Sequence, residues 1–245
     1  MKEFIYGRSP VYETLRAKRR QVFGLQVAEG AQEKGRLGEI LQMAKERRIP
    51  VQRVPRARLD RLSEGAQGLA AEVEGYPYVG LADILAKAQR KGEPLFVLVL
   101  DSLQNPQNLG TLIRTAESVG VHGVVMPGHR AAEVTPAVVS ASAGASEHML
   151  IAQANLAQTL DELKEAGAWV VGLDEDSASL EPDRVSLTGA LAVVVGSEGE
   201  GLRPLVKQKC DFLLRLPMRG QVESLNAAVA GSVALYLAFM ARDHS

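Results

Sequence analysis

Three short polar loops in the last 150 residues hold the side chains whose types and spacing could do chemistry. The first, Asp101 to Gly110 (DSLQNPQNLG), follows an apolar run and supplies several amides, Asn108 among them, with Arg114 in the helix pattern that comes next. Amides at the carboxyl end of a strand read hydrogen-bond patterns or position a hydroxyl, and an arginine clamps an anion. Taken singly, the amides are better explained by turn chemistry, and Arg114 by a solvated helix face or a pair with Glu117. The second loop is Gly196 to Gly201 (GSEGEG). Its glycines run in G-x-x-G-x-G order, so it fails the dinucleotide fingerprint, and it lacks the Gly-Lys-Ser/Thr end of a phosphate-binding loop. Glu198 and Glu200 would repel a pyrophosphate, which points to a ligand that lacks phosphates or carries positive charge. The third loop, Leu216 to Asn226 (LPMRGQVESLN), puts Ser224 and Asn226 in front of a helix pattern that is almost wholly small and apolar. Ser224 is placed to cap that helix. A helix apolar all round must be buried, in a core or against another subunit.

The elements that position these loops follow from periodicity. From Leu95 onward apolar runs alternate with helical patterns, with strands expected at Leu95–Leu100, Gly123–Met126, Met149–Ile151, Trp169–Leu173, Leu191–Val195 and Leu213–Leu216. Helices are expected between them at 107–119, 135–143, 156–166, 202–208 and 223–241. Such alternation means βαβ units and a mostly parallel sheet covered on both faces, with ligands at the strands' carboxyl ends. Residues 1–75 read as a separate small α/β domain. Ser9 and Pro10 form a helix start, Val11, Leu15 and the stem of Lys18 share one face, and Val22–Ala28, Val51–Val54 and Leu69–Val73 read as strands. Residues 76–94, with Pro, Gly and one short helix, read as the linker to a catalytic region at 95–245.

Composition narrows the class. The chain has 245 residues and a formal net charge of −1, yet residues 1–95 carry 18 Lys+Arg against 12 Asp+Glu while residues 96–245 carry 10 against 17. The basic first half suggests a polyanion partner, with a solvated Arg-rich surface as the plain alternative. One cysteine, Cys210, excludes an internal disulfide and supplies no zinc cluster, and His122, His129, His148 and His244 lack metal-ligand spacing, so no metal is expected. The N-terminus has no apolar signal segment and no run reaches membrane-spanning length; the expected location is the cytoplasm.

In order and spacing, NPQNLGTLIRTAESVGV, VVVGSEGEGL and LPMRGQVESLNAAVAGSVALYL resemble the three motifs of the SpoU (TrmH) class of SPOUT RNA ribose methyltransferases. IYGRSPVYETL and GAQGLAAEV extend the resemblance, less strongly, into the first domain. Over the whole length the chain is similar to bacterial enzymes that methylate a guanosine ribose in the peptidyl-transferase region of 23S rRNA. The resemblance implies an α/β catalytic domain threaded into a deep trefoil knot, preceded by an L30e-like RNA-binding domain. It implies S-adenosylmethionine held by Gly196, Leu216 and Leu225, with neighbouring backbone from Val195, Met218 and Gly220. Its motif residues fall on Asn108, Arg114, Glu198, Ser224 and Asn226. It further implies a homodimer through the C-terminal helix, with arginine contributed across the interface. Where relatives often carry His-Gln-Gly, this chain has Ala66-Gln67-Gly68. Three other functions compete: a tRNA guanosine methyltransferase, a non-catalytic RNA-binding relative, and a nicotinamide-dependent dehydrogenase, the last disfavoured by the glycine order.

Overall fold

The computed structural model describes residues 2–128, 132–175, 179–221 and 224–243; His129 and His244 lie outside them. It divides into two compact units, Met1–Pro77 with Glu133–His148, and Tyr78–Ala132 with Met149–Ser245.

The first unit is built on a four-stranded sheet of order β1-β4-β2-β3, with β1 Lys2–Tyr6, β2 Val22–Ala28, β3 Val51–Val54 and β4 Leu69–Glu74. β4 runs antiparallel to both β1 and β2, and only β2 and β3 are parallel. Strand β1 is too short and too mixed in polarity to be read from periodicity. It exists because β4 offers it a ladder, Lys2 opposite Glu74 through Tyr6 opposite Ala70. Helix α1 (Arg8–Ala17) buries Val11, Thr14 and Leu15 on one face, as a 3.6-residue period requires. Its N-cap is Gly7, two residues before the expected Ser9 cap. Lys18 does not extend the buried face: it ends the helix in the left-handed conformation, φ 57°, and is exposed. Helices α2 (Arg36–Glu46) and α3 (Arg56–Asp60) add Leu37, Ile40, Ala44 and Leu59 to the core.

Helix α6 (Pro136–Ala141) and the turn Ala145–His148, expected within the later alternation, pack in this first unit on β1 and α1. A buried charge cluster holds them. Arg20, with no exposed side chain, donates from one terminal nitrogen to Glu147 Oε1 at 2.7 Å. Its other terminal nitrogen donates to Glu3 and to the Glu74 carbonyl. Tyr76 Oη donates to the Ser146 carbonyl at 2.8 Å. Burial raises the Glu147 carboxyl above its ordinary range, with the Arg20 charge pulling the other way.

The second unit is a six-stranded, wholly parallel sheet of order β10-β8-β9-β5-β6-β7. Its strands are β5 Phe96–Leu100, β6 Gly123–Met126, β7 Leu150–Gln153, β8 Trp169–Leu173, β9 Leu191–Val195 and β10 Phe212–Leu214. The buried β5, β6 and β9 are continuous apolar runs rich in valine, as a sheet covered on both faces demands. The expected linker is folded: α4 (Leu81–Lys91) buries Ile84 and Ala88 in this unit's core. Helices α5 (Pro106–Ser118), α7 (Leu156–Glu165), α8 (Pro204–Lys209) and α9 (Ala227–Asp243) complete it.

Candidate active site

The chain lays down β5, β6 and β7 in one direction from β5, and β9, β8 and β10 in the other. β5 and β9 therefore meet at the point where the strand order reverses, the usual ligand crevice of an open α/β sheet. The first two polar loops leave the carboxyl ends of these two neighbours. Asp101, fully buried at the end of β5, ties the loops together. Its Oδ2 accepts from the Arg203 backbone N–H at 2.8 Å and its Oδ1 from Arg203 Nε at 2.6 Å. Sequence reasoning missed this pair. An acid directly after an apolar run marks the strand's end but does not announce a partner a hundred residues on.

Each loop has a local reason for its shape. Asn105 caps α5 by accepting from the Gln107 N–H at 2.8 Å, and Pro106 follows at the first helical position. In the Gly196–Gly201 turn, Ser197 and Gly201 exchange backbone hydrogen bonds of 3.0 and 3.1 Å. A Cβ at Gly196 would lie 2.3 Å from the Gly201 carbonyl carbon, so only glycine lets the turn close.

The third loop corrects one expectation. Ser224 is exposed and does not cap the last helix, which starts at Ala227, four residues later than expected. Asn226 caps it instead, its Oδ1 accepting from the N–H groups of Ala228 (2.9 Å) and Val229 (3.2 Å). Those acceptor contacts fix which way the carboxamide faces. Its Nδ2 consequently donates to Glu198 Oε1 at 3.0 Å and to Asn108 Oδ1 at 3.3 Å. Asn226 is the hub that joins one residue from each motif. Asn108 is buried, and its Nδ2 has no partner among the described residues.

This cluster borders a cavity of about 570 Å³ at the carboxyl ends of β8, β9 and β10. Of the expected cofactor residues, Val195, Gly196, Leu216, Met218 and Leu225 line it; Gly220 is exposed and does not. Of the expected catalytic residues, Glu198, Ser224 and Asn226 line it. Arg114 is exposed on α5 and is not brought to this wall, and Asn108 reaches it through Asn226. The cavity also recruits Asp174 and Glu175 beyond β8 and Lys207 on α8, with Lys207 Nζ 2.9 Å from Asp174 Oδ1. The only sequence signal for these was an acidic stretch at a strand's end. A second cavity of about 340 Å³ lies between the first two loops and shares Ser197, Glu198 and Glu200 with the larger one.

Helix α9 is not buried all round. Ala228, Ala234, Leu235 and Ala238 are buried, while Val229, Val233, Tyr236 and Met240 form an exposed apolar stripe at helical spacing. Its buried face packs against α5 and β9. A Cβ at Gly231 would lie 2.5 Å from Leu112 Cδ2. Thr115 and Ser232 hydroxyls meet at 2.9 Å across the α5–α9 contact. The thiol of Cys210 is pushed up to about 12 by burial and is not poised as a nucleophile. Among the described residues no cluster of His, Cys, Asp and Glu could hold a metal ion, and no helix is long and apolar enough to cross a membrane.

Comparison with known proteins matches this arrangement. Residues 95–236 fit the model of the SpoU rRNA methylase family, and residues 4–79 fit that of the RNA 2′-O ribose methyltransferase substrate-binding domain. The chain is 44% identical over 245 residues to the TrmH family tRNA/rRNA methyltransferase YacO of Bacillus subtilis, covering 98% of this chain and 96% of that one. Its fold matches the SpoU methyltransferase AviRb of Streptomyces viridochromogenes, solved with AdoMet, at a TM-score of 0.80 and 24% identity over 98% of this chain and 89% of that one. It also matches a TrmH-family RNA methyltransferase of Porphyromonas gingivalis, at a TM-score of 0.71 and 26% identity over 100% of this chain and 90% of that one. With the three motifs joined at one cavity and the family models covering both its parts, the chain belongs to the SpoU family of RNA 2′-O-ribose methyltransferases.

Proposed function

We propose that the enzyme methylates the 2′-hydroxyl of a guanosine ribose in 23S rRNA, in the cytoplasm, with S-adenosylmethionine as donor. The observation that carries this reading is the bonded set Asn108–Asn226–Glu198 on the wall of the larger cavity. The cavity fits the donor: its volume suits a ligand of that size, and Val195, Leu216, Met218 and Leu225 offer apolar faces to an adenosine. Asp174, Glu175, Glu198 and Glu200 tolerate a cation and would repel a nucleotide phosphate. When bound, S-adenosylmethionine supplies an electrophilic methyl on a sulfonium leaving group.

The chain's residues then have to position the acceptor and manage its proton. Glu198, with Oε1 held by Asn226, keeps Oε2 to receive or orient the 2′-hydroxyl hydrogen. Relatives' mechanisms cast the first-motif arginine as base, but a guanidinium keeps its proton in proteins. We assign Arg114 to clamping a substrate phosphate and stabilising the developing alkoxide. Arg114 lies away from its own cavity, and the exposed stripe of α9 needs a cover; both features support a homodimer in which each copy lends Arg114 to the other. The knot is supported by the chain's path: β10 lies at the sheet edge beyond β8, yet α9 returns to pack on α5 and β9. The basic first unit, which we take as the L30e-like RNA-binding domain, gathers exposed arginines such as Arg56, Arg58 and Arg61. Phosphate contacts from such residues supply much of RNA affinity. The resemblance of the whole sequence to bacterial enzymes that methylate a guanosine ribose in 23S rRNA supports the rRNA target.

The test is to map ribose methylation in RNA from cells lacking the gene, with calorimetric binding of S-adenosylmethionine to the purified chain. Loss of one 23S rRNA 2′-O-methylguanosine is expected. Loss of a tRNA mark alone would move the target to tRNA, and no binding would overturn the reading. Mixing inactive Arg114→Ala and Asn226→Ala proteins should restore activity if Arg114 crosses the interface.

A further inference from the structure

A methyl transfer between two substrates needs two places that share a wall. We infer that the smaller cavity, between the loops after β5 and β9, seats the acceptor nucleoside, unstacked from its RNA, and that Asn105 and Glu200 read its base edge. This rests on the methyltransferase reading above and assigns the second half of the same site. Ser197, Glu198 and Glu200 are common to both cavities, so a group in the smaller one faces the ligand in the larger across Glu198.

The lining selects for a base and against a backbone. Two carboxylates, Glu198 and Glu200, repel a phosphate but accept from base N–H groups. Asn105 supplies the opposite polarity. Its Oδ1 is committed to the Gln107 N–H as the cap of α5, so its Nδ2 hydrogens are what the residue has left to offer a ligand in the cavity that it lines. A donor and an acceptor lining one cavity suit a nucleobase edge, and enzymes acting on a nucleotide reach it by taking it out of the stack. The fully buried Asp101, which binds Arg203, holds the two loops at a fixed spacing.

The test uses the full chain, S-adenosylmethionine, and total rRNA from cells lacking the gene. Asn105→Asp keeps the helix cap but replaces the amide donors with an acceptor; Asn105→Ser keeps a cap without adding charge. Both should lower kcat/KM for rRNA about tenfold or more, the scale of a lost hydrogen bond with its partner left unsatisfied. Affinity for S-adenosylmethionine should stay within about twofold on the same scale. Glu200→Gln should also lower kcat/KM for rRNA. Wild-type kcat/KM in both Asn105 variants would overturn the proposal, as would a parallel loss of S-adenosylmethionine binding, which would give the cavity to the donor. A wild-type enzyme that methylates no RNA would instead bring down the underlying reading, and that control is run first.

Discussion

Both units bury polar and charged side chains, but they use them differently. In the first unit Arg20 spends both terminal nitrogens on Glu147, Glu3 and the Glu74 carbonyl, which binds the segment 133–148 onto β1 and α1. In the second unit Asn226 and Asp101 are equally committed, yet each stops beside groups that are not. Glu198 Oε2, the Asn105 amide donors and Asn108 Nδ2 carry hydrogen-bonding capacity that no described residue takes up. A polar cluster that binds one chain segment to another holds a fold, whereas one at the strands' carboxyl ends beside a cavity marks a site. Neither burial nor an unused donor alone separates the two cases, since Arg20 Nε is also buried without a partner among the described residues; position at the strands' carboxyl ends beside a cavity does.

The comparison breaks most directly at Arg20. Arg20→Ala leaves Glu147 charged and buried without its partner and should cost about 3–5 kcal/mol, read as a lower denaturation midpoint for the first unit. S-adenosylmethionine binding should persist, because that cavity belongs wholly to the second unit. Loss of binding in step with the first unit's melting would mean the two clusters are not separate devices. On the other side, Arg114→Ala should leave the melting profile unchanged and slow single-turnover methyl transfer by about 10²–10³-fold, the scale of removing one transition-state charge stabiliser. Near-normal rates would remove Arg114 from the mechanism.

Asn226 sharpens the contrast because it belongs to both categories. Asn226→Ala should cost about 1 kcal/mol through the lost cap of α9 and also release Glu198 and Asn108. Asn226→Asp keeps the cap but turns a carboxylate toward Glu198, so stability should hold while methyl transfer falls about tenfold, the scale of one lost hydrogen bond. Equal activity losses with equal destabilisation in the two variants would reduce Asn226 to a structural cap.

The sequence made the second unit's sheet legible because β5, β6 and β9 are uninterrupted buried runs bounded by breakers. The three loops stood out because polar residues cluster beside those runs. What periodicity could not show was long-range pairing. Strand β1 is visible only through its ladder with β4, and the packing of α6 in the first unit rests on the contact between Arg20 and Glu147, 127 residues apart. Ser224 alone reads as the cap in the sequence, although the residue type of Asn226 suits that position equally. Only the actual N–H contacts at Ala228 and Val229 decide it. The same limit hid Asp101 and Arg203, whose pairing depends on β5 and β9 being neighbours.

The smallest expected effect is a difference in how the two units respond to pH. In the second unit His122 is almost fully buried, with Nδ1 accepting from the Phe96 N–H at 3.0 Å and Nε2 meeting Glu93 at 2.9 Å. Burial lowers its pKa below the ordinary 6.5, against the pull of Glu93 and with Lys91 and Lys87 adding to the shift. The unfolded chain therefore takes up this proton first as pH falls. The stability the neutral ring contributes is complete above pH 6.5 and is lost as pH falls through the depressed value. Glu147 in the first unit tilts the other way. Its pKa is raised from 4.5 by burial, so its contribution is present below 4.5 and is lost as pH rises through the raised value. Denaturation midpoints followed separately for the two units between pH 7.5 and 5.5 should show the second weakening on acidification, by about 2–4 °C for each kcal/mol. His122→Gln should flatten that slope without touching the first unit's. An unchanged slope in the variant would mean that the second unit's acid sensitivity arises elsewhere than at β5.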